Sequence, residues 1–197
     1  MRNVFSSGRL LREVNFTYIV FILKEGEVSS FSNLRPISLC NLSYKILSKL
    51  IANRLRPFLD RFISSSQAAF VPGRWISESS ILAHEIGHCF KKKSGKGGLI
   101  GVKVDMAKAY DSLEWSFIVR VMEVVGFDKV FCNLILQCIS TTSFSLLING
   151  SAYGSFKAER GIRQGDPLSP YLVIICAEVL SRLLVAKERE GSILGSV

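Results

Sequence analysis

Residues 99–111 read Leu-Ile-Gly-Val-Lys-Val-Asp-Met-Ala-Lys-Ala-Tyr-Asp, and this stretch indicates the fold more clearly than any other. Its first six residues are mostly apolar and partly β-branched, which predicts a short strand over residues 99–104. Asp105 stands where that strand stops, so the sequence predicts a rigidly held carboxylate that faces solvent. Such carboxylates, in pairs or threes, clamp the two Mg²⁺ ions of nucleotidyl transfer; the alternative role for Asp105 is a plain helix N-cap.

Patterning elsewhere predicts helices packed against a sheet. Strands are predicted over residues 16–23, 35–39 and 144–148, the last entering a hairpin turn at Asn149-Gly150. Helices are predicted over residues 42–55, 77–90, 113–125, 129–140 and 168–188. The fold class is therefore α+β, with helices set against an antiparallel sheet.

Apolar side chains at helical spacing predict which faces two of these helices bury. The first helix, with Asn41 as N-cap, carries Leu42, Ile46, Leu50 and Leu55, with Leu47 and Ile51 beside them. The helix that Gly126 closes carries Leu113, Phe117, Val121 and Val125.

The positive charge of the chain is concentrated in its first half. The whole chain has 25 Lys and Arg against 16 Asp and Glu, a net charge of +9. Residues 1–103 hold 16 basic and 6 acidic residues (+10), and residues 104–197 hold 9 and 10 (−1). A basic lobe beside a neutral one indicates a phosphate-rich partner, although a solvated basic surface has the same charge. The run Lys-Lys-Lys-Ser-Gly-Lys-Gly-Gly at 91–98 is predicted to be a flexible loop between the lobes or a surface hairpin.

Composition excludes several classes of protein. With 197 residues, 48% of them hydrophobic, the chain can bury a globular core. The best apolar run, residues 16–23, is far shorter than the roughly 18 residues of a membrane span, and no signal-peptide cleavage pattern follows it. The five cysteines include no Cys-x-x-Cys pair, which argues against a disulfide framework or a zinc ribbon. The expected location is the nucleus or cytoplasm, with no secretion and no membrane partner.

Two further motifs each allow a functional and a plain interpretation. His84-Glu85-Ile86-Gly87-His88 fits the zinc-protease pattern H-E-x-x-H, but these are the only two histidines, so a structural helix face is favoured over a metalloprotease. Residues 160–170, Arg-Gly-Ile-Arg-Gln-Gly-Asp-Pro-Leu-Ser-Pro, have two glycines that allow a close backbone approach. They predict either a ligand-facing loop that opens a helix or an ordinary surface turn.

Four segments in chain order resemble the reverse transcriptase domain of non-LTR (LINE-type) retrotransposons, particularly those of plants. They are residues 35–39 (Arg-Pro-Ile-Ser-Leu), 67–74 (Gln-Ala-Ala-Phe-Val-Pro-Gly-Arg), 105–111 and 163–170. The resemblance runs from about residue 15 to residue 197. It implies a right-hand polymerase in which residues 1–98 form a fingers-like basic lobe and residues 99–197 a partial palm.

The same resemblance implies the site and its ligands. Asp105 is similar to the first metal-binding carboxylate, with the backbone of Met106 as a further Mg²⁺ contact. Its partners would be an RNA template with a DNA primer, a dNTP and two Mg²⁺ ions. The implied nucleotide contacts are Arg35, the weaker candidate Arg74, the steric gate Tyr110, and Gln164 with Gly165; the implied loop-shaping residues are Asp111, Arg163 and Asp166.

One expected feature of the family is absent from the sequence. In the family, a hairpin bearing aromatic-x-Asp-Asp follows a long helix. In this chain the matching helix is predicted over residues 168–188, and residues 189–197 do not contain that sequence. We therefore expect a truncated reverse transcriptase domain that is inactive as this chain alone. The alternative is a non-catalytic, RNA-binding remnant.

Overall fold

The strands of the protein form one mixed sheet. The computed structural model describes residues 4–5, 8–24, 26–27, 29–92 and 100–193. Its four strands, β1 (Phe16–Leu23), β2 (Leu34–Cys40), β3 (Ser143–Ile148) and β4 (Ser151–Lys157), lie in the order β2-β1-β3-β4. β1 pairs antiparallel with β2, as β3 does with β4, but β1 and β3 are parallel. The prediction of a purely antiparallel sheet is wrong at this pair, where a long helical crossover between the two strands makes parallel pairing possible.

The described residues form seven α-helices, and all five predicted helices are confirmed to within two residues at each end. They are α1 (Leu42–Leu55), α2 (Leu59–Phe62), α3 (Ile76–Lys92), α4 (Ala109–Ser112), α5 (Trp115–Val125), α6 (Lys129–Ser140) and α7 (Ser169–Arg189). Local chemistry sets their ends. The side chains of Asn41 and Asp128 accept backbone N–H bonds at the starts of α1 and α6, and Gly126 ends α5 in a left-handed conformation.

The predicted strand over residues 99–104 is wrong for the part that the structure describes. Residues 100–106 are irregular, and Ile100, Val102 and Val104 are 89%, 80% and 66% exposed. A strand is stabilised by its neighbours, and none of the described strands pairs with this segment. In the adjoining basic run, Lys91 and Lys92 end α3 rather than beginning a loop, and residues 93–98 lie outside the described residues.

The helix faces that are buried differ in part from those predicted. α1 buries Leu47, Ile51 and Leu55 as expected, but Leu42, Ile46 and Leu50 are exposed; Tyr44, Ser48 and Ala52 are buried instead. α5 buries Ile118, Val121 and Met122, whereas Phe117 is exposed. In α1 the reason is chemical, because the hydroxyls of Tyr44 and Ser48 bind the buried carboxylate of Asp166.

The core lies mainly among α1, α5, α6 and α7. By contrast, α3 buries none of its described side chains. The sheet takes β1 and β2 from one side of the predicted boundary at residues 98/99 and β3 and β4 from the other. The division into fingers and palm stays a prediction.

By length and composition alone, α7 is long and apolar enough to cross a membrane, the one such helix among the described residues. The sequence did not indicate α7 as a membrane span because charged residues interrupt its apolar run. Leu172, Ile174 and Ile175 of α7 are buried in the core, and 33% of its most apolar 18-residue stretch is buried in all.

Candidate functional site

Backbone hydrogen bonds bring three of the four motif segments together. The N–H of Ser38 in β2 donates to the carbonyl oxygen of Gln164 (3.0 Å). The N–H of Ile162 donates to the carbonyl oxygen of Tyr110 (2.7 Å), and that of Gly161 donates to Leu113 (2.8 Å). The loop that carries Gln164 is therefore held between β2 on one side and α4 on the other.

Two glycines allow these close approaches. Gly161 has φ +83°, and a Cβ placed there would lie 2.8 Å from the backbone oxygen of Asp111. Gly165 has φ +99°, and its Cβ would lie 3.3 Å from the backbone oxygen of Ser38. In addition, the indole Nε1 of Trp115 donates to the carbonyl oxygen of Gly161 (2.7 Å). The positive φ favours glycine at both positions, and the contact with Asp111 leaves no room for a Cβ at Gly161.

A cavity of about 180 Å³ lies where the segments meet. Pro36 from β2, Asp111 from α4, and Arg160 and Gln164 from the loop all line it, together with apolar side chains of the sheet. Tyr110 is half-buried nearby in α4, and this burial raises the pKa of its phenol. The cavity therefore combines polar residues with apolar side chains of the sheet, and the guanidinium of Arg160 also lies 3.4 Å from the carboxylate of Glu114.

A buried ion pair anchors the same loop from below. Nη2 of Arg163 lies 3.0 Å from Oδ2 of Asp166, and both side chains are almost fully buried, at 4% and 2% exposed. Asp166 also accepts hydrogen bonds from the hydroxyl of Tyr44 (2.7 Å), the hydroxyl of Ser48 and the backbone N–H of Leu168 (3.0 Å). The carboxylate is thus bound on both oxygens.

The guanidinium of Arg163 also has several partners besides Asp166. It donates to Oδ1 of Asn15 (2.7 Å), Oγ1 of Thr17 (3.2 Å) and the carbonyl oxygen of Cys138 (3.0 Å), and it stacks 3.8 Å from the ring centre of Tyr44. No buried side-chain nitrogen or oxygen in the described part of the chain lacks a partner. A complete network of this kind rigidifies the backbone that carries it, here residues 163–168.

Burial also raises the pKa of two groups beside the ion pair, the phenol of Tyr44 and the thiol of Cys138. Desolvation, assisted by the charge of Asp166, raises the pKa of Tyr44 well above its usual value, and desolvation raises the pKa of Cys138 to about 12. Both groups therefore stay protonated well above neutral pH. Tyr44 consequently remains a hydrogen-bond donor to Asp166.

The structure does not place the predicted metal residues at the end of a strand. Asp105 and Met106 lie on the exposed irregular segment rather than at the end of a buried strand. Within the described ranges, no three His, Cys, Asp or Glu side chains are grouped so that they could hold a metal ion.

The two candidate arginines differ in what they can bind. Arg35 is exposed on β2, a strand at the sheet edge, opposite Ile22. The guanidinium of Arg74 instead donates to the backbone oxygens of Ser64, Gln67 and Ile63 and pairs with the carboxylate of Asp60 at 3.2 Å. Arg74 therefore holds its own turn together, and we propose no nucleotide contact for it.

The histidine motif gains no support as a zinc site. His84 and His88 lie on exposed α3, and Lys91 lines the same surface cavity as the two histidines. A lysine ammonium repels a metal cation, and no third ligand is grouped with the histidines among the described residues. The metalloprotease alternative is not favoured.

Sequence reasoning missed the residues that support the loop from other elements. Asn15, Thr17, Tyr44 and Ser48 all bind the Arg163–Asp166 pair. One signal was present, because Tyr44 and Ser48 are polar residues four apart on one face of an apolar helix. Nothing in the sequence joined that face to Asp166, which is 122 residues away from Tyr44.

The chain belongs to the reverse transcriptase (RNA-dependent DNA polymerase) family, whose model matches residues 22–193. It is 28% identical over 184 residues to an uncharacterized 149 kDa protein of the transposon TX1 from Xenopus laevis, which covers 93% of this chain and 14% of that protein. It is 26% identical over 177 residues to a retrovirus-related Pol polyprotein of the type-1 retrotransposable element R2 from Popillia japonica (89% and 24%).

A third similarity is shorter and stronger. An uncharacterized mitochondrial protein of Arabidopsis thaliana is 51% identical over 49 residues, which is 25% of this chain and 40% of that protein. The resemblance to non-LTR retrotransposon reverse transcriptases is therefore confirmed. The chain spans less than a quarter of the length of the TX1 and R2 proteins.

Proposed function

We propose that this chain is part of an RNA-directed DNA polymerase of a non-LTR retrotransposon, and that it binds an RNA template with a DNA primer and a dNTP. The observation that carries the proposal is the convergence of residues 35–39, 105–111 and 163–170, three separate family motifs, around one cavity. Residues 1–98 would act as the fingers and residues 99–197 as part of the palm.

Each nucleotide contact in the proposal has a structural rationale. Arg35 is exposed and can reach a triphosphate, and Tyr110 is held by its backbone against the loop, where its ring would reject a ribose 2′-OH. Gln164 would pack against the incoming base, and Gly165 lets the loop approach β2 without a side chain in the way. Arg163 and Asp166 act as positioning residues because their buried pair holds this loop.

The charge of the chain supports a nucleic-acid partner. The +10 of residues 1–103 would attract the phosphates of a template–primer duplex, which carries one negative charge per roughly 1.7 Å of axis. Phosphate contacts of this kind fix position without reading sequence. Binding should therefore depend on salt more than on template sequence.

Reverse transcriptases generally use divalent metal ions, and we propose Mg²⁺ here. Asp105 and the carbonyl group of Met106 would hold one ion, which when bound supplies positive charge at the reacting phosphate. These two residues do not complete a two-ion site, and the described residues offer no cluster of acids that would. We therefore propose that the chain by itself does not extend a primer.

We accordingly expect the chain to bind primed RNA without extending the primer. We expect fluorescence anisotropy to show that the chain binds primed RNA, with an affinity that falls about 100-fold or more between 50 and about 200 mM salt. Addition of the next complementary dNTP should tighten this binding, and Gln164→Ala should abolish that gain. Gln137→Ala, a matched change on α6 away from the cavity, should keep it.

Two results would contradict the proposal in different ways. Absence of binding to primed RNA at low salt would remove the proposed function itself. Extension of the primer in the presence of Mg²⁺ and dNTPs, lost in Asp105→Asn, would instead show that the chain has a complete metal site.

A further inference from the structure

Two neighbouring cavities form a groove on the surface away from the nucleotide cavity. The first, about 610 Å³, lies between the α1–α2 corner and the turn that joins α5 to α6; the second, about 800 Å³, lies between α2 and the C-terminal half of α7. Arg61 and Phe62 line both, so the two cavities adjoin. We call this surface the Arg61 groove, and none of its lining residues lines the nucleotide cavity.

Aromatic rings dominate the first half of the Arg61 groove. Phe58 is 43% exposed at its edge, and Phe62, Phe127 and Phe131 are partly buried in it. Phe127 stacks on Phe131 with 5.6 Å between ring centres and meets Phe62 edge to face at 5.5 Å. The half-exposed ring of Phe58, with Arg61 5.4 Å from its centre, offers a face on which a planar group can stack.

Four arginines line the groove, and one of them, Arg182, pairs with Glu178. Arg54, Arg61 and Arg189 line it and have no carboxylate partner within the described residues; Arg54 and Arg61 instead lie over the rings of Phe5 and Phe58. The lining acids are already engaged: Glu178 pairs with Arg182 (3.0 Å), Glu190 pairs with Lys187 (2.6 Å), and Asp128 caps α6. With four lining arginines against three lining acids, the groove has a formal charge of +1 beside its aromatic rings, and Arg54, Arg61 and Arg189 form no ion pair with a described residue.

We propose that the Arg61 groove binds single-stranded RNA, with a base stacked at Phe58 and phosphates held by Arg54, Arg61 and Arg189. Arginines without an ion-pair partner favour a polyanion over an apolar peptide, and aromatic rings beside cations are the features by which proteins hold unpaired strands. This site goes beyond the proposed function, because it takes unpaired RNA at a place separate from primer and nucleotide.

The test measures binding of a fluorescent, unprimed oligo(A) of about eight nucleotides, a length within the range of single-strand sites. Arg61→Glu should weaken binding about ten-fold and lower the salt slope by about 0.7, the share of one phosphate contact on a single strand. Phe58→Ala should weaken it about five-fold or more through lost stacking. Both side chains are exposed, and circular dichroism and the Tm should confirm that the variants fold.

Two controls make the outcome decisive. Arg120→Glu reverses the same charge at an exposed position of α5 outside the groove and should change the affinity by less than about two-fold. Equal losses in Arg120→Glu and Arg61→Glu, unchanged binding in Arg61→Glu and Phe58→Ala, or no binding of the oligonucleotide at low salt would each overturn the proposal. If Gln164→Ala alone weakened binding, the strand would occupy the nucleotide cavity; the groove proposal would fall and the proposed function would stand.

Discussion

Replacing Asp166 with alanine is expected to lower the free energy of unfolding by about 3–5 kcal/mol, the range for breaking a buried ion pair from one side. The change leaves the guanidinium of Arg163 buried without its counter-charge, and it removes the acceptor of the Tyr44 and Ser48 hydroxyls. Urea denaturation followed by circular dichroism would measure the loss. We also expect weaker dNTP binding in the folded variant, because the pair holds the loop that carries Gln164.

A matched change at an exposed ion pair shows how much of the destabilisation comes from burial of the Arg163–Asp166 pair and how much from losing a carboxylate as such. Glu190 pairs with Lys187 at 2.6 Å, and both side chains are more than half exposed. Glu190→Ala should therefore cost less than about 1 kcal/mol. A similarly small cost for Asp166→Ala would mean that the buried network does not stabilise the loop.

Gly161→Ala should cost about 2–5 kcal/mol. Roughly 1–2 kcal/mol comes from placing an L-residue at φ +83°, and about 1–3 kcal/mol comes from crowding against packed atoms. The crowded partner is the backbone of Asp111, whose oxygen and Cα lie 2.8 and 3.0 Å from the added Cβ. A backbone partner cannot rotate away as a side chain could, so the loop or α4 must move.

Gly150 provides the control for the strain of a positive φ alone. It has φ +81°, nearly the value at Gly161, but a Cβ there would meet nothing within 4 Å. Gly150→Ala should therefore cost only about 1–2 kcal/mol in the same urea titration. Equal costs at the two positions would contradict the close contact between Gly161 and Asp111.

Local chemistry explains which elements could be predicted from the sequence. Asn41 and Asp128 mark helix starts, Gly126 marks a helix end, and Asn149-Gly150 closes the β3–β4 hairpin with both residues at positive φ. Each signal acts within a few residues, so no tertiary contact is needed to interpret it. The start of α1, the end of α5 and the hairpin turn were predicted from these signals, whereas the Asp128 cap of α6 was seen only in the structure.

The elements that were predicted wrongly depend on partners distant in sequence. The segment at residues 100–104 has the composition of a strand, but none of the described strands pairs with it. The parallel pairing of β1 with β3 joins residues such as Phe16 and Ser143, which no local pattern connects. For the same reason, the inward turn of Tyr44 could not be inferred without knowing that Asp166 lies opposite.

The site was predictable to the extent that its residues lie in contiguous motifs. Residues 105–111 and 163–170 were singled out from the sequence, and hydrogen bonds now connect the regions around Tyr110 and Gln164 through Ile162. The rigid position expected for Asp105 depended on a strand just before it, and the described residues of that segment form no strand. The nucleotide and metal roles of all these residues stay predictions.

The most direct test of the nucleotide site is photocrosslinking of a thio-substituted dTTP to the chain bound to primed RNA, followed by mass spectrometry of the labelled peptides. We predict attachment within residues 105–111 or 160–166, suppressed by excess unmodified dTTP and reduced in Gln164→Ala. Attachment to α3 or to the Arg61 groove, with those two segments unlabelled, would contradict the proposal that the motif segments form one nucleotide site.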